Sequence, residues 1–270
     1  MQKKQMIIVG AVVGLIVLIL AGVGVYAFMK SRSKPEETPQ TAQKKKKIST
    51  FNVIPVAERP YILIRPSEGG RNIFLVIEEL KKPADAVEYE LEYQAGELLQ
   101  GAFGELPLTS FPASKDILLG SCSAGGACTY HQNVQGGTLV TRFSGTDEYA
   151  LKNDWRYIDN TARETTAASK DAKFQIDSPE IAKQRVVIIT NSPGYPGTLP
   201  GTPISDIYSL STVSTLTGTV EVTMRANEDA TAAKVAVWDG STWKTVAGTA
   251  DDKSLTAEVP FGQAYVVIKE

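Results

Sequence analysis

The two cysteines and the only histidine of the chain lie within one ten-residue segment, Cys122 to His131. Five residues separate Cys122 from Cys128, and they include Gly125 and Gly126. Glycines allow the backbone to turn sharply, so the two sulfur atoms can reach bonding distance. The spacing predicts a disulfide that closes a short loop in an exported protein.

Two other interpretations of this segment remain open. Cys122, Cys128 and His131 are three potential metal ligands, although the chain has no paired Cys-x-x-Cys elements and offers no evident fourth ligand. Alternatively, Cys128 is a nucleophile with His131 as its base, but residues three apart on a strand point to opposite faces. An oxidised pair has no thiolate for either role, and His131 is then an exposed loop residue.

Other enzyme signatures do not occur in the sequence. There is no Gly-x-Ser-x-Gly elbow, His-Glu-x-x-His helix, phosphate loop or dinucleotide fingerprint, and a single histidine excludes mechanisms that need two. Residues 31–34 match Ser-x-x-Lys, but they lie in a segment too polar to build a pocket. The sequence therefore predicts a protein that is not an enzyme and has no cofactor or metal site.

Acidic side chains are weaker candidates for ion binding. Asp147, Glu148 and Asp154 lie in one loop-rich stretch, and further acidic pairs occur at 228–229 and 251–252. Such groups can hold Ca²⁺ between the loops of a β-sandwich. None has the spacing of a calcium loop, which favours a solvated, turn-forming surface.

One aromatic residue is a candidate for contact with a partner. Tyr195 lies in a loop of residues 191–203 that is rich in proline and glycine. The loop can present Tyr195 to a partner, or it can simply connect two strands, and the second interpretation is favoured.

Residues 6–29 are apolar and contain no charged side chain. As a helix they would span about 36 Å, which is enough to cross a bilayer with some tilt. Lysines flank both ends, at Lys3, Lys4 and Lys30. The segment predicts a single transmembrane helix after a short tail of residues 1–5, with the lipid bilayer as its partner.

The same apolar segment has two further interpretations. Val25 to Ala27 has the small-x-small pattern of a signal-peptidase site, but the apolar run is longer than the usual signal peptide core, which favours an uncleaved anchor. Gly10 and Gly14 form a Gly-x-x-x-Gly pattern that would suit weak dimerisation of the helix.

Charge is unevenly distributed along the chain. Of its 28 basic and 30 acidic residues, nine and two lie in residues 1–50, which leaves 19 basic and 28 acidic for residues 51–270, a net charge of −9. Residues 30–50 are polar and lysine-rich, and they predict a flexible basic stalk. The acidic remainder argues against nucleic acid as a partner.

The orientation in the membrane does not follow from the flanking charges. Lysines and arginines after the apolar segment outnumber those before it, which would place the large domain in the cytoplasm. The rule weakens for long translocated domains, and a cysteine pair with β-rich modules favours export. We expect a cell-membrane protein with a cytoplasmic N-terminus and residues 51–270 outside the cytoplasm.

Alternation of apolar and polar residues predicts a mainly β fold. In residues 87–93 four apolar side chains alternate with three glutamates, as expected of a half-buried strand. Asp239-Gly240 predicts a hairpin turn, and Ser178-Pro179-Glu180 predicts the start of a short helix. We expect two antiparallel β-sandwich domains, residues 51–180 and 181–270. The other predicted strands are 61–65, 73–77, 138–143, 186–190, 219–224, 234–238, 243–246, 255–259 and 264–268.

The last third of the chain carries a resemblance. Val-Ala-Val-Trp-Asp-Gly-Ser-Thr-Trp-Lys-Thr-Val at 235–246 and Phe-Gly-Gln-Ala-Tyr-Val-Val-Ile at 261–268, behind an anchor and a lysine-rich stalk, resemble uncharacterised bacterial surface proteins with immunoglobulin-like modules. The resemblance implies a sandwich fold and no active site. The Cys, Trp, Cys framework of antibody domains is absent, so only the broad sandwich class carries over.

These observations predict a non-enzymatic surface protein that acts in adhesion, envelope assembly or binding of another envelope component. Its partner would be an envelope protein or a polysaccharide. The alternative is an accessory or docking subunit of an exported enzyme or transport machine.

Overall fold

The structure is a computed structural model that describes residues 50–270. These residues belong to one compact unit whose regular secondary structure is almost entirely antiparallel strands, so the prediction of a mainly β chain is confirmed. The tail of residues 1–5, the anchor of residues 6–29 and the stalk up to residue 49 lie outside the described residues. Within residues 50–270, no helix has the length and apolar character that crossing a bilayer requires.

Eleven strands precede the short helix α1, Pro179–Ala182. They are β1 Tyr61–Pro66, β2 Asn72–Glu79, β3 Ala86–Ala95, β4 Leu98–Pro107, β5 Ala113–Leu118, β6 Gly120–Cys122, β7 Cys128–Tyr130, β8 Val134–Ser144, β9 Tyr149–Asp159, β10 Thr166–Ala168 and β11 Phe174–Asp177. A single 3-10 turn, Val56–Glu58, comes before β1.

Nine strands follow the helix. They are β12 Val186–Ser192, β13 Thr202–Pro203, β14 Ile207–Thr212, β15 Thr219–Arg225, β16 Lys234–Trp238, β17 Trp243–Ala247, β18 Thr249–Asp251, β19 Ser254–Pro260 and β20 Ala264–Lys269.

One ten-stranded sheet runs through the described part of the chain in the order β17-β16-β20-β14-β12-β9-β8-β3-β4, with β13 paired to β20. The pairing of β12 with β9, from Val186 opposite Asp159 to Thr190 opposite Trp155, joins the two halves of the sequence. The pairing of strands therefore joins the segments before and after residue 180, where we expected one domain to end. The division into two domains stays a prediction.

The described residues form two large hydrophobic cores, which lie on opposite faces of the large sheet. Strand β12 contributes to both, because Val186 and Ile188 belong to the first core while Val187 and Ile189 belong to the second. Side chains alternate between the two faces of a strand, and β12 is apolar on both faces in its first four residues.

A three-stranded sheet of β1, β2 and β5 packs over the first core, and a five-stranded sheet, β10-β11-β15-β19-β18, packs over the second. In the first core the buried rings of Tyr93 and Trp155 meet edge to face, with centroids 6.3 Å apart. In the second, Phe174 and Tyr208 stack at 5.1 Å. Burial, together with a hydrogen bond to Asp171, raises the pKa of Tyr208 above its ordinary value.

Strand β1 is the edge of the small sheet, yet its outer backbone groups are buried. The amide of Ile64 donates to the hydroxyl of Thr190 at 3.2 Å, and the amide of Ile62 donates to that of Ser192 at 3.3 Å. Beside them Ser209 donates to the phenol oxygen of Tyr61 at 3.1 Å, and burial raises the pKa of Tyr61. Side-chain hydroxyls of the large sheet thus take the place of a missing strand.

Two local predictions are confirmed at atomic detail. The Ser178 side chain accepts from the amide of Glu180 and caps α1. Asp239-Gly240 turns between β16 and β17, where the Asp239 carboxylate accepts from the amide of Thr242 at 2.9 Å. Of several hydrogen bonds that hold the pKa of Asp239 below its ordinary value, this one makes the largest contribution.

Replacement of Thr190 by valine tests the buried edge of β1. The change keeps the shape of the side chain but leaves the Ile64 amide without an acceptor, so we expect a loss of about 1–3 kcal/mol in the free energy of unfolding. Urea unfolding of the full chain measures it. Thr245→Val, on the exposed side of β17, is the matched control and should cost less than about 0.5 kcal/mol. Equal losses in the two variants would contradict the role of Thr190.

Candidate functional site

The predicted disulfide is present. Cys122 and Cys128 are bonded, with an S–S distance of 2.04 Å, and they close the hairpin formed by β6 and β7. Both residues are exposed, as is the glycine-rich turn between them. The bond leaves no thiolate for a metal ion or for nucleophilic attack.

His131 lies in the loop after β7, as predicted, but it is half-buried, so the prediction that it is exposed was wrong. Its ring nitrogen Nδ1 lies 2.9 Å from the hydroxyl of Tyr93, and its amide donates to the carbonyl of Leu119. The chain turns back along the sheet after β7 and draws the imidazole against β3. The histidine therefore anchors the disulfide hairpin to the first core.

The acidic candidates do not come together. Asp147 lies in the turn between β8 and β9, next to Glu148, and pairs with Lys82 at 3.2 Å. Asp154 lies in the middle of β9 and pairs with Lys170 at 2.8 Å, so its assignment to a loop was wrong. Within residues 50–270, no three histidine, cysteine or acidic side chains form a group that could hold a metal ion.

Tyr195 packs against the protein as part of a fixed connection. It is half-buried, and the ammonium of Lys81 lies 3.6 Å from the centre of its ring. The same loop is held at Pro196, whose carbonyl accepts from the indole of Trp243, and at Gly197, whose amide donates to the carboxylate of Glu79. These contacts favour the connecting role of the loop.

Two open clefts lie where the large sheet passes under β10. One of about 470 Å³ is lined by residues that include Gln94, Gln135, Arg156 and Lys170, and one of about 320 Å³ shares Arg156. The cations in them are already engaged, because Arg156 donates to the carbonyl of Ala168 at 3.3 Å and Lys170 pairs with Asp154. These groups brace one sheet against the other.

A third open cleft, of about 350 Å³, is lined by Arg65, Asp239 and the residues around Val213. Arg65 is ion-paired with Glu78, and Asp239 is committed to its own turn. None of the three clefts includes His131, Asp147, Glu148 or Asp154 in its lining.

Of the four most exposed large apolar side chains of the described residues, three lie on one strand, and the fourth is Val53. Phe103, Leu99 and Leu98 of β4 are exposed by 85%, 66% and 65%. Strand β4 is ten residues long, ends the large sheet and has β3 as its only strand partner. A long exposed edge of this kind is a ready template for pairing with another chain.

Strands at the other edges present much less free backbone. Strands β10 and β18 have three residues each and β17 has five, while β1 is buried against Thr190 and Ser192. Strand β5 carries Lys115 and Asp116 on its exposed stretch, and charges of this kind discourage pairing. Among these edges β4 alone is long, exposed and free of lysine and arginine.

Next to β4 lies a part of the large sheet whose outer side chains are mostly exposed or half-buried, and the five-stranded sheet meets it at Arg156, which donates to the carbonyl of Ala168 in β10. We call it the open face; it consists of the side chains of β3, β4, β8 and β9 that point away from the first core. Its glutamates are on β3 and β4, whereas β8 and β9 carry its basic residues together with Asp154. The charged and large apolar residues of the open face are Glu88, Glu90, Glu92, Leu99, Phe103, Glu105, Val140, Arg142, Lys152, Asp154 and Arg156.

Comparison of the chain with models of protein families, with curated proteins and with solved structures gives no match.

Sequence reasoning missed β4 and with it the exposed phenylalanine. Gly101 and Gly104 interrupt the apolar alternation around Phe103. A signal was nevertheless present, because Gly96-Glu97 forms a two-residue turn after the clear strand β3, with Gly96 at a φ of 59°. Glycine at the first position of a two-residue loop is typical of a β-hairpin, which predicts a partner strand after residue 97.

Removal of the disulfide tests its contribution. The double variant Cys122→Ser/Cys128→Ser should lose about 2 kcal/mol of unfolding free energy, because the bond closes a short loop and restricts the unfolded chain. Urea unfolding under oxidising conditions measures the difference, and reductant should bring the wild-type chain to the value of the variant. A variant as stable as the oxidised wild type would contradict this.

Proposed function

We propose that the chain is a membrane-anchored, non-enzymatic binding protein that meets its partner through β4 and the open face. The observation that carries the proposal is the exposure of Leu98, Leu99 and Phe103 on one unpaired edge strand. Leu99 and Phe103 lie on the open face and Leu98 points to the other face of the same strand, and exposed apolar side chains that group on one element favour a role in protein contact. The charged groups of the clefts, by contrast, are tied to neighbouring backbone and carboxylates, which favours binding over catalysis.

The placement of the protein is part of the same proposal. Residues 6–29 have the length and apolar character of an anchor, and the Cys122–Cys128 bond is of the kind that persists outside the cytoplasm. We place residues 51–270 on the outer side of the membrane. The two cores support two sandwich modules of the immunoglobulin-like class, which here share the large sheet.

The disulfide hairpin lies close to the proposed binding edge. The carbonyl of Asn133, just after the hairpin, accepts from the amide of Gly96 in the turn that leads into β4. His131 joins the same region to Tyr93 of β3. The hairpin therefore supports the end of the edge strand where Leu98 and Leu99 lie.

Site-specific photocrosslinking tests the binding edge. With the photoreactive residue p-benzoylphenylalanine in place of Phe103, irradiation of intact cells should give one discrete crosslinked band, because this side chain is exposed toward the partner. The same residue in place of Val213, a 40% exposed position in the loop after β14, is the control and should give none. Crosslinks of equal yield at both positions, or none at Phe103, would contradict the proposal.

Protease and thiol labelling of intact cells test the placement. Protease added outside should digest residues 51–270, and a thiol reagent should leave Cys122 and Cys128 unlabelled until reductant is added. The permeabilised cell is the control for full access. Protection of residues 51–270 together with two reactive thiols would place the domain in the cytoplasm and refute the export part of the proposal.

A further inference from the structure

We propose that β4 binds an extended, basic segment of a partner protein as an additional antiparallel strand of the large sheet. The inference rests on the proposed function and specifies its partner. It follows from three features of the described residues: the regularity of the β4 edge, the charges beside it, and the alternation of side chains that the edge presents.

The edge is regular enough to accept a strand. Strand β4 pairs with β3 in one register over ten residues, from Ala86 opposite Pro107 to Ala95 opposite Leu98, without a bulge. In the middle of β4, Gly101, Ala102 and Gly104 surround Phe103, and none of these four residues carries a charge. Such an edge offers amides and carbonyls in a repeating order that an extended peptide can match.

The negative charges beside this edge favour a partner segment that is positively charged. Glu88 of β3 and Glu105 of β4 are directly opposite each other on the open face, and both are exposed. Like charges in directly opposite positions destabilise a sheet. Within residues 50–270 neither the Glu88 nor the Glu105 carboxylate has an ion pair. Glu90, which is on β3 with Glu88, pairs with Arg142 at 3.1 Å. A basic side chain from an added strand would meet Glu105 directly and reach toward Glu88.

The alternation of β4 defines the sequence that would fit. Along the open face the strand presents Leu99, Gly101, Phe103 and Glu105 in turn. An antiparallel partner begins opposite Glu105, so it needs a basic residue first, then an apolar residue opposite Phe103, a small one opposite Gly101 and an apolar one opposite Leu99. A second basic residue two positions further would lie near Glu97. The pattern is Arg-x-Phe-x-Ser-x-Leu-x-Lys.

A second copy of the chain is a poorer occupant of the edge. Strand β4 contains no lysine or arginine, so pairing two copies would bring a second Glu88–Glu105 pair without a compensating charge. Residues 51–270 carry 19 basic and 28 acidic side chains, and this net charge of −9 adds to the repulsion between copies.

The binding test uses the purified full chain and the synthetic peptide Arg-Thr-Phe-Thr-Ser-Thr-Leu-Thr-Lys. We expect saturable binding by fluorescence anisotropy that weakens as salt is added, and slower hydrogen exchange of backbone amides in β4. A peptide with glutamate in place of both basic residues should not bind. Binding without protection of β4, or equal binding of the acidic peptide, would overturn the proposal.

Methylation of the peptide backbone separates strand addition from other modes of binding. Methyl groups on alternate amides remove the donors along one side of an extended peptide. Methylation on the side that faces β4 should abolish binding, whereas methylation on the opposite side should not, because those amides point to solvent. Equal effects of the two patterns would show that the peptide does not add as a strand.

The double variant Glu88→Gln/Glu105→Gln tests the charge. It should weaken peptide binding by about three- to tenfold, since two cross-strand attractions are lost. The matched control is Glu221→Gln/Glu258→Gln, which removes another directly opposed glutamate pair from the interior strands β15 and β19 and should leave the affinity unchanged. Equal losses in the two variants would refute recognition by Glu88 and Glu105.

The outcomes also separate this inference from the proposed function. A specific crosslink at Phe103 in cells without peptide binding would reject the basic strand and keep the binding edge. Loss of both would reject both. Dimers of the full chain in sedimentation that Phe103→Ser dissociates would assign the edge to a second copy and overturn the proposal.

Discussion

The fold depends on the pairing of β12 with β9 and on the apolar character of both faces of β12. Val186 and Ile188 lie in the first core, and Val187 and Ile189 in the second. All four side chains are almost wholly buried. A strand that serves two cores must be covered on both sides, which requires one sheet above it and another below. The three-stranded and five-stranded sheets meet this requirement on opposite faces.

That arrangement creates many strand edges, and the chain protects most of them. Some edge strands are too short to pair with another molecule, and β1 is covered by the hydroxyls of Thr190 and Ser192. Hydroxyl groups suit this position because they accept a hydrogen bond without bringing a charge into the core. Strand β4 differs from these protected edges because it is both long and exposed. It also forms one border of the open face.

Local sequence predicted many strands well and the connections between them poorly. Residues 87–93 alternate strictly between apolar and polar, and the structure has a strand there. A strand with one buried face requires an apolar side chain at every second position, so the alternation predicts the strand. Strand β9 was missed because Asn153 and Asp154 resemble loop residues, although Asn153 is buried and Asp154 pairs with Lys170. Strand β14 was missed because Ser209 and Ser211 occupy positions where apolar residues are usual. The order of strands depends on contacts between residues far apart in sequence, and local periodicity carries no information about them.

The disulfide could be predicted from two cysteines and the glycine-rich spacer between them. The exposed edge could be recognised only from the order of the strands in the whole sheet. Phe103 is an ordinary phenylalanine in the sequence, and its significance depends on β4 having no neighbour beyond it.

The entry of the chain into the fold has a mechanical consequence. Asn52 donates from its amide to the carbonyl of Ala150, and its side chain bonds to the amide and carbonyl of Lys152, so the first described residues are fastened to β9. A load between an anchor before residue 50 and a partner on β4 would pass sideways through β9, β8 and β3. These strands share long ladders, and β12 and the second core lie outside that path. One half of the large sheet would then bear tension while the other remained unloaded.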